Sequence, residues 1–139
     1  MGRVLAVDWG KRRVGLAISD ETRTICRPLP TAPGTSTRKL VTRIESIVQE
    51  EGVDTVVVGH PIGMGGGAGP SADSARKLSD AIQGRLPEIR VLLWDERLTT
   101  REAVHLLHKK GERVRKRSGR IDQVAAAVLL QAYLDSEIP

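Results

Sequence analysis

The stretch that decides the fold is Arg3-Val-Leu-Ala-Val-Asp8, an apolar run that ends in a carboxylate. A second apolar run, Arg13-Val-Gly-Leu-Ala-Ile-Ser19, follows it after a few residues, and Gly10 marks a turn between the two. Two apolar runs this close in sequence predict an antiparallel β-hairpin. A third candidate strand, from Ile25 to Thr31, contains two prolines, which cannot donate to a central ladder, so it is expected at a sheet edge.

Beyond the hairpin, helical and strand patterns alternate. Apolar residues between Thr37 and Glu51 recur at the spacing of one buried helical stripe, and Gly52 follows as a helix C-cap would. Short aliphatic runs at 54–59 and 89–94 are typical of parallel strands that are buried on both faces. The other predicted helices begin at Pro70, run from the Thr99 capping box to near Gly111, and run from about Ile121 to Leu134.

The resulting element order, βββαβαβαα, combines a hairpin with βαβ crossovers. This order predicts the α/β class, with a mixed sheet flanked by helices. The 139 residues, 40% of them hydrophobic, suit one domain that spans residues 1–139. No apolar run approaches the roughly 18–20 residues of a membrane span. Because the chain also starts without an apolar signal segment and has a single cysteine, Cys26, we expect a cytoplasmic protein with neither a disulfide framework nor a cysteine-rich zinc site.

Positive charge is concentrated in one segment. The whole chain has a net charge of +5, whereas residues Lys109 to Arg120 alone carry +6 and leave −1 for the other 127 residues. Such a segment predicts binding to a polyanion, although a solvated loop would show the same composition. The residues that we assign to nucleic-acid binding are Lys11 and Arg12 in the hairpin turn, and Lys109, Lys110, Arg113, Arg115, Lys116, Arg117 and Arg120 in the segment.

Four carboxylates lie beside apolar segments, where an unpaired charge is costly to bury. Asp8 ends the first strand, Asp95 and Glu96 end another strand, and Asp122 begins an Ala-rich helix. Asp95 and Glu96 point to opposite faces of an extended strand, so only one of them can readily join a shared cluster. Ligands that offer only oxygen suit Mg²⁺ or Mn²⁺, and two such ions can promote phosphodiester hydrolysis.

These carboxylates also have simpler interpretations. Asp8 precedes a turn and can accept backbone N–H groups there. Asp122 can serve as an N-cap or first-turn residue, which the helix dipole favours. The basic segment directly before Asp122 favours the metal site, because a polyanion bound to that segment would reach the acidic cluster.

Four motifs of the chain resemble those of the YqgF family, also called RuvX. The motifs are Val4–Gly10 with Arg13–Ile18, Val56–Pro61 with Met64-Gly65, Trp94–Thr100, and Arg120–Leu130. They run over almost the whole chain in the family's order. The resemblance implies a ribonuclease H-like fold and a metal-dependent nuclease. It also implies that the catalytic, metal-binding triad is Asp8, Glu96 and Asp122, which favours Glu96 over Asp95.

The resemblance implies two substrates and does not choose between them. Family members are associated with trimming the 5′ end of the 16S ribosomal RNA precursor. By similarity to a resolvase of the same fold, they are also described as Holliday junction resolvases, which act on branched DNA. A resolvase is expected to be a homodimer, because a four-way junction has two symmetric scissile strands. The chain departs from the family at His60 and in the glycine-rich loop Gly63–Gly69, where substrate preference can differ.

Two hypotheses from other classes remain at this point. Asp8-Trp-Gly-Lys11 also resembles the first phosphate loop of the actin and sugar-kinase superfamily, which would make the chain a nucleotide-dependent phosphotransferase. Those proteins enclose the nucleotide between two domains, and 139 residues supply one. The other hypothesis is a non-catalytic RNA-binding assembly factor, in which the basic segment binds RNA and the acids are structural.

Overall fold

The fold is that of a computed structural model, which describes residues 2–9, 13–33, 36–60, 70–95 and 118–137. Its strands are β1 (Arg3–Trp9), β2 (Arg13–Ser19), β3 (Cys26–Pro33), β4 (Val53–His60) and β5 (Arg90–Asp95). Its helices are α1 (Thr37–Glu51), α2 (Pro70–Arg85) and α3 (Ser118–Ser136). Within these described ranges, no helix is both long and apolar enough to span a membrane.

The five strands form one mixed sheet in the order β3-β2-β1-β4-β5. β1 and β2 are antiparallel, as are β2 and β3, whereas β1, β4 and β5 run parallel to one another. The predicted hairpin, the mixed α/β sheet and the edge position of the proline-containing strand are confirmed. Because β1, β4 and β5 are parallel, their carboxyl ends meet at one edge of the sheet, which we call the Asp8 edge after the residue near the end of β1.

Helices cover both faces of the sheet. On one face, α1 and α2 pack on a core that includes Leu5, Leu16 and Val56. On the other face, α3 packs on Val4, Ala17 and other small side chains. Since consecutive strand residues alternate between faces, the sequence of β1 supplies a large aliphatic residue to one layer and a smaller one to the other.

The bounds of α1 agree with the prediction. Ser36 is the N-cap, and its side chain accepts a hydrogen bond from the Lys39 backbone N–H at 3.2 Å. Gly52 is the C-cap in the left-handed conformation, with φ of 68°, and its N–H donates to the Val48 carbonyl. Local capping chemistry therefore sets both ends of this helix.

Two predicted element bounds differ from the structure, and one predicted helix lies outside the described residues. α3 begins at Ser118 rather than near Ile121, so that Arg120 lies inside the helix and not before it. The strand predicted at 54–59 extends to His60, because the backbone of His60 pairs with Asp95 of β5. The helix predicted between Thr99 and Gly111 lies outside the described residues.

A polar cluster at the edge opposite Asp8 ties α3 to the sheet. Arg23, in the turn between β2 and β3, donates from Nε to the Gly2 carbonyl at 3.0 Å and forms an ion pair with Asp54. Its Nη1 also reaches the Glu137 carboxylate at 3.4 Å, just beyond the end of α3. Tyr133 of α3 donates its hydroxyl to the same Glu137 at 3.1 Å. The carboxyl end of α3 is thereby anchored where β1 and β4 begin.

Candidate active site

Asp8 lies near the carboxyl end of the central strand and is only partly buried. Its partner across the antiparallel ladder is Gly15 of β2. On the other side, Val7 pairs with Val58 of β4, and the next residue along β4 is the buried Gly59. On each neighbouring strand, the residue at the level of Asp8 is therefore a glycine, which has no side chain. A glycine within a strand often marks a place where a ligand or another backbone approaches closely, so the surroundings of Asp8 are a candidate ligand site.

Strand alternation places Asp8 on the face that α3 covers. Val4 and Ala6, at two and four residues before Asp8, both pack in the α3 layer. Asp122 is the fifth residue of that same helix. By helical spacing, position 122 falls on the stripe of Ala126, Leu129 and Tyr133, which are buried against the sheet. The structure thus brings Asp8 and position 122 to the same face, although the side chain of Asp122 lies outside the described part.

The position of Asp122 bears on the simpler interpretation of this residue. Because α3 begins at Ser118, Asp122 is in the second turn and is neither an N-cap nor a first-turn residue. The first turn of α3 contains no acidic residue. Capping and the helix dipole, which act within the first turn, therefore do not explain why an acid is at this position.

Position 95 belongs to the opposite face of the sheet. Leu92 and Trp94 of β5 pack in the α3 layer, whereas Val91 packs in the layer of α1 and α2. Alternation then assigns position 95, like its partner His60, to the α1 and α2 side, away from Asp8. Glu96, which follows the end of β5, lies outside the described residues.

Most of the predicted nucleic-acid-binding residues lie outside the described ranges as well. These are Lys11, Arg12, Lys109, Lys110, Arg113, Arg115, Lys116 and Arg117. The described exception is Arg120, the third residue of α3, for which only the backbone position is given. Among the described side chains, no group of three potential metal ligands occurs. Of the three predicted metal ligands, Asp8 is the only one whose side chain is among the described ones.

Sequence reasoning did not identify Gly15 and Gly59 as parts of the site. Their role depends on which residues face each other across the ladders, and β4 is separated from β1 by the whole of α1. The sequence signal was that Gly15 interrupts an apolar strand and Gly59 directly follows the apolar run Val56–Val58. A glycine at such a position often marks a close approach of a ligand or of another backbone.

A family model described as "RuvX: Holliday junction resolvase" matches residues 2–136 of the chain. A protein of Acetivibrio thermocellus named "Putative pre-16S rRNA nuclease" is 39% identical over 136 residues, which cover 97% of this chain and 96% of that protein. A protein of the same name from Chloroflexus aurantiacus is 41% identical over 133 residues, covering 96% of this chain and 86% of the relative.

Two solved structures share the fold. The RuvC of T. thermophilus, solved in complex with a Holliday junction substrate, superposes with a TM-score of 0.63 at 13% identity and covers 99% of this chain and 98% of its own. The Fowlpox virus resolvase, solved with Holliday junction DNA, gives a TM-score of 0.60 at 13% identity and covers 99% of each chain. At this identity the likeness establishes the ribonuclease H-like fold.

Proposed function

The chain belongs to the RuvX family and is a nuclease, a hydrolase of phosphodiester bonds, and from that premise we propose that it trims the 5′ end of pre-16S ribosomal RNA. Relatives that carry this name match almost the full length of the chain at 39% and 41% identity. We further propose that residues 1–139 act as a single nuclease domain and that the protein works in the cytoplasm. The alternative substrate is a Holliday junction, which the family's description favours.

The observation that carries the catalytic proposal is the position of Asp8. Its carboxylate is at the Asp8 edge between Gly15 and Gly59, on the face that α3 covers. We assign Asp8, Glu96 and Asp122 as the catalytic, metal-binding triad. In support, position 95 alternates to the other face, and Asp122 lies too far into α3 to be a cap.

Divalent-metal dependence goes with this nuclease family and fold. Carboxylate oxygens are hard donors, so the chemistry of the predicted triad fits Mg²⁺ or Mn²⁺. When bound there, such an ion would supply charge neutralisation at the scissile phosphate. The task of Asp8 is to present its carboxylate from a rigid, central strand, so that its orientation is set before the substrate arrives.

The basic residues would hold the substrate rather than react with it. We propose that Lys11, Arg12 and the segment Lys109–Arg120 contact backbone phosphates. Phosphate contacts position a nucleic acid without reading its sequence. Binding should therefore depend steeply on salt, and selectivity should come from the shape of a structured RNA.

The test is a cleavage assay on two substrates side by side, a structured RNA that spans the 5′ end of 16S ribosomal RNA and a four-way DNA junction. With Mg²⁺ or Mn²⁺ supplied, the wild-type protein should shorten the RNA. Asp8→Asn should reduce the rate by more than about 100-fold, since losing even an outer-shell group of a metal site costs up to that much. Asp80→Asn, a matched change on the exposed face of α2, should leave the rate unchanged.

Each other outcome has a definite meaning. Cleavage of the junction alone would replace the RNA proposal by the resolvase alternative, which also requires two protomers on each junction. Wild-type activity in Asp8→Asn would refute the assigned triad. RNA binding without cleavage of either substrate would identify an assembly factor instead.

A further inference from the structure

The exposed face of α1 has an unusual distribution of charge. Its first half carries three exposed cations, Arg38, Lys39 and Arg43, which we call the α1 cationic face. The other exposed residues on this half are the hydroxyl residues Thr37 and Thr42, and no carboxylate occurs there. All three acids of the helix, Glu45, Glu50 and Glu51, come later.

This distribution, with bases first and acids later, is the reverse of the one that would stabilise the helix. The macrodipole stabilises acids near the amino end and bases near the carboxyl end, by about 0.3–1 kcal/mol for each charge. α1 has no acid in its first turn and no base in its last turn. The helix is otherwise well built, with caps at both ends. A local choice that opposes stability in such an element points to a function for these charges.

The cations of this face make few contacts with the rest of the fold. Within the described part of the chain, Arg38 and Lys39 take part in no ion pair, and Arg43 donates only to the Pro30 carbonyl, at 3.4 Å. α2 provides a contrast in the same layer. There, Arg76 and Lys77 lie one helical turn from both Asp73 and Asp80 in sequence, so acids and bases alternate along that helix, although these two cations also form no ion pair among the described residues.

The α1 cationic face lies close to the Asp8 edge. Arg13 pairs with Pro33, and its neighbour Val14 pairs with Trp9, so β3 ends at the edge where β1 ends. α1 starts four residues after Pro33 and runs towards the opposite edge, where β4 begins. Because α1 and α3 cover opposite faces of the sheet, the α1 cationic face and Arg120 of the basic segment flank the sheet from its two sides.

We infer that the α1 cationic face binds the phosphate backbone of a second duplex arm of the RNA substrate, on the side of the sheet away from α3. This inference rests on the proposed nuclease function and adds a second contact surface to it. From Arg38 to Arg43 the helix rises about 7–8 Å, which matches about two nucleotides of a duplex strand. Three cations at this spacing suit two or three consecutive phosphates. If a first arm contacts the basic segment, as proposed above, an RNA that also contacts the α1 cationic face would need a second arm on the other side of the sheet.

The experiment measures binding of two RNA probes as a function of salt, with metal omitted so that cleavage does not interfere. One probe has two duplex arms joined at an unpaired bulge, and the other is a single duplex as long as one arm. The test variant carries Arg38→Gln, Lys39→Gln and Arg43→Gln, which keep helix propensity nearly constant. The control carries Arg76→Gln, Lys77→Gln and Arg90→Gln, three exposed positions on α2 and β5 that give the same change in net charge.

We expect the wild-type protein to prefer the two-armed RNA and the test variant to lose that preference. Its slope of log affinity against log salt should become shallower by about 2–3 for the two-armed RNA, in line with three lost phosphate contacts. The control should behave as the wild type. The thermal midpoint of the test variant should be unchanged or higher, because Arg38 and Lys39, in the first turn of α1, oppose the helix dipole.

Two results would overturn the inference: unchanged binding of the two-armed RNA by the test variant, or an equal loss in the control, which would mean that only net charge matters. If the wild type cleaves RNA in the assay above while the test variant binds like the wild type, this surface alone is refuted. If the wild type binds neither probe, the proposed function and the second surface both fail.

Discussion

At the scale of single residues, Cys26 shows how packing controls reactivity. It is half-buried at the start of β3, and its Sγ donates to the Ala127 carbonyl of α3 at 3.3 Å. Burial raises the pKa of this thiol, and the negative charge of Asp135 raises it further. Since the thiolate is the nucleophile, Cys26 is held in its unreactive form at neutral pH.

We therefore predict that Cys26 of the native protein is alkylated by iodoacetamide at pH 8 more slowly than the same cysteine in urea. The unfolded protein is the matched control, since it has the same thiol without the contacts of β3 and α3. Equal rates in the two states would contradict the prediction. Protection of this kind also argues against a Cys26 disulfide as the link in any homodimer.

At the scale of elements, the junction between α1 and β4 depends on Gly52. Its φ of 68° belongs to the left-handed region, and a Cβ at this position would meet nothing within 4 Å. Gly52→Ala should therefore lower the free energy of unfolding by about 1 kcal/mol for conformational reasons alone, without any clash. Chemical denaturation measures this change.

Gly84 provides the matched comparison. It lies in α2, a Cβ there also has open space, and its φ is not positive. Gly84→Ala should raise the free energy of unfolding by up to about 1 kcal/mol, because alanine favours the helix. Glycine to alanine should thus change the free energy of unfolding in opposite directions at the two positions. A change in the same direction at both would show that φ does not decide the effect.

How far the sequence predicts an element depends on how local the deciding forces are. The bounds of α1 were predictable because an apolar stripe and Gly52 mark them within the helix itself. The start of α3 was not, because Ser118 and Gly119 have no apolar periodicity and little helix propensity. The surroundings of Asp8 were beyond prediction for a different reason: Gly15 and Gly59 approach it only through the ladders of the folded sheet.

At the scale of the whole molecule, Arg23 connects segments that are far apart in sequence, because it contacts Gly2, Asp54 and Glu137. Burial alone would raise the pKa of Asp54, but hydrogen bonds from Thr55 and the Gly2 N–H, together with the Arg23 charge, hold it below its ordinary value of 3.8. A carboxylate of this kind stabilises the fold above its unfolded pKa. That stabilisation is lost as the pH falls through the folded value.

We predict that Asp54→Asn makes stability less dependent on pH below about 4. The thermal midpoint of the wild type should drop between pH 5 and pH 2.5 by more than that of the variant. Asp20, whose pKa is lowered to about 2 chiefly by a hydrogen bond from Thr22, loses its contribution in the same acidic range and does so in both proteins. If the thermal midpoints of the wild type and Asp54→Asn fell by the same amount over this pH range, Asp54 would be excluded as a source of the pH dependence.

Because Arg23 holds α3 near its carboxyl end, a small tilt of the helix about that end displaces its amino end by a larger distance. From Glu137 back to position 122 the helix extends about 22 Å, so a tilt of about 5° around the anchored end would displace position 122 by about 2 Å. A misplacement of about 1 Å can cost a catalytic step about 100-fold. If Asp122 belongs to the metal-binding triad, as we propose, the precision of its position is therefore set in part at the far edge of the sheet, by Arg23 and Glu137.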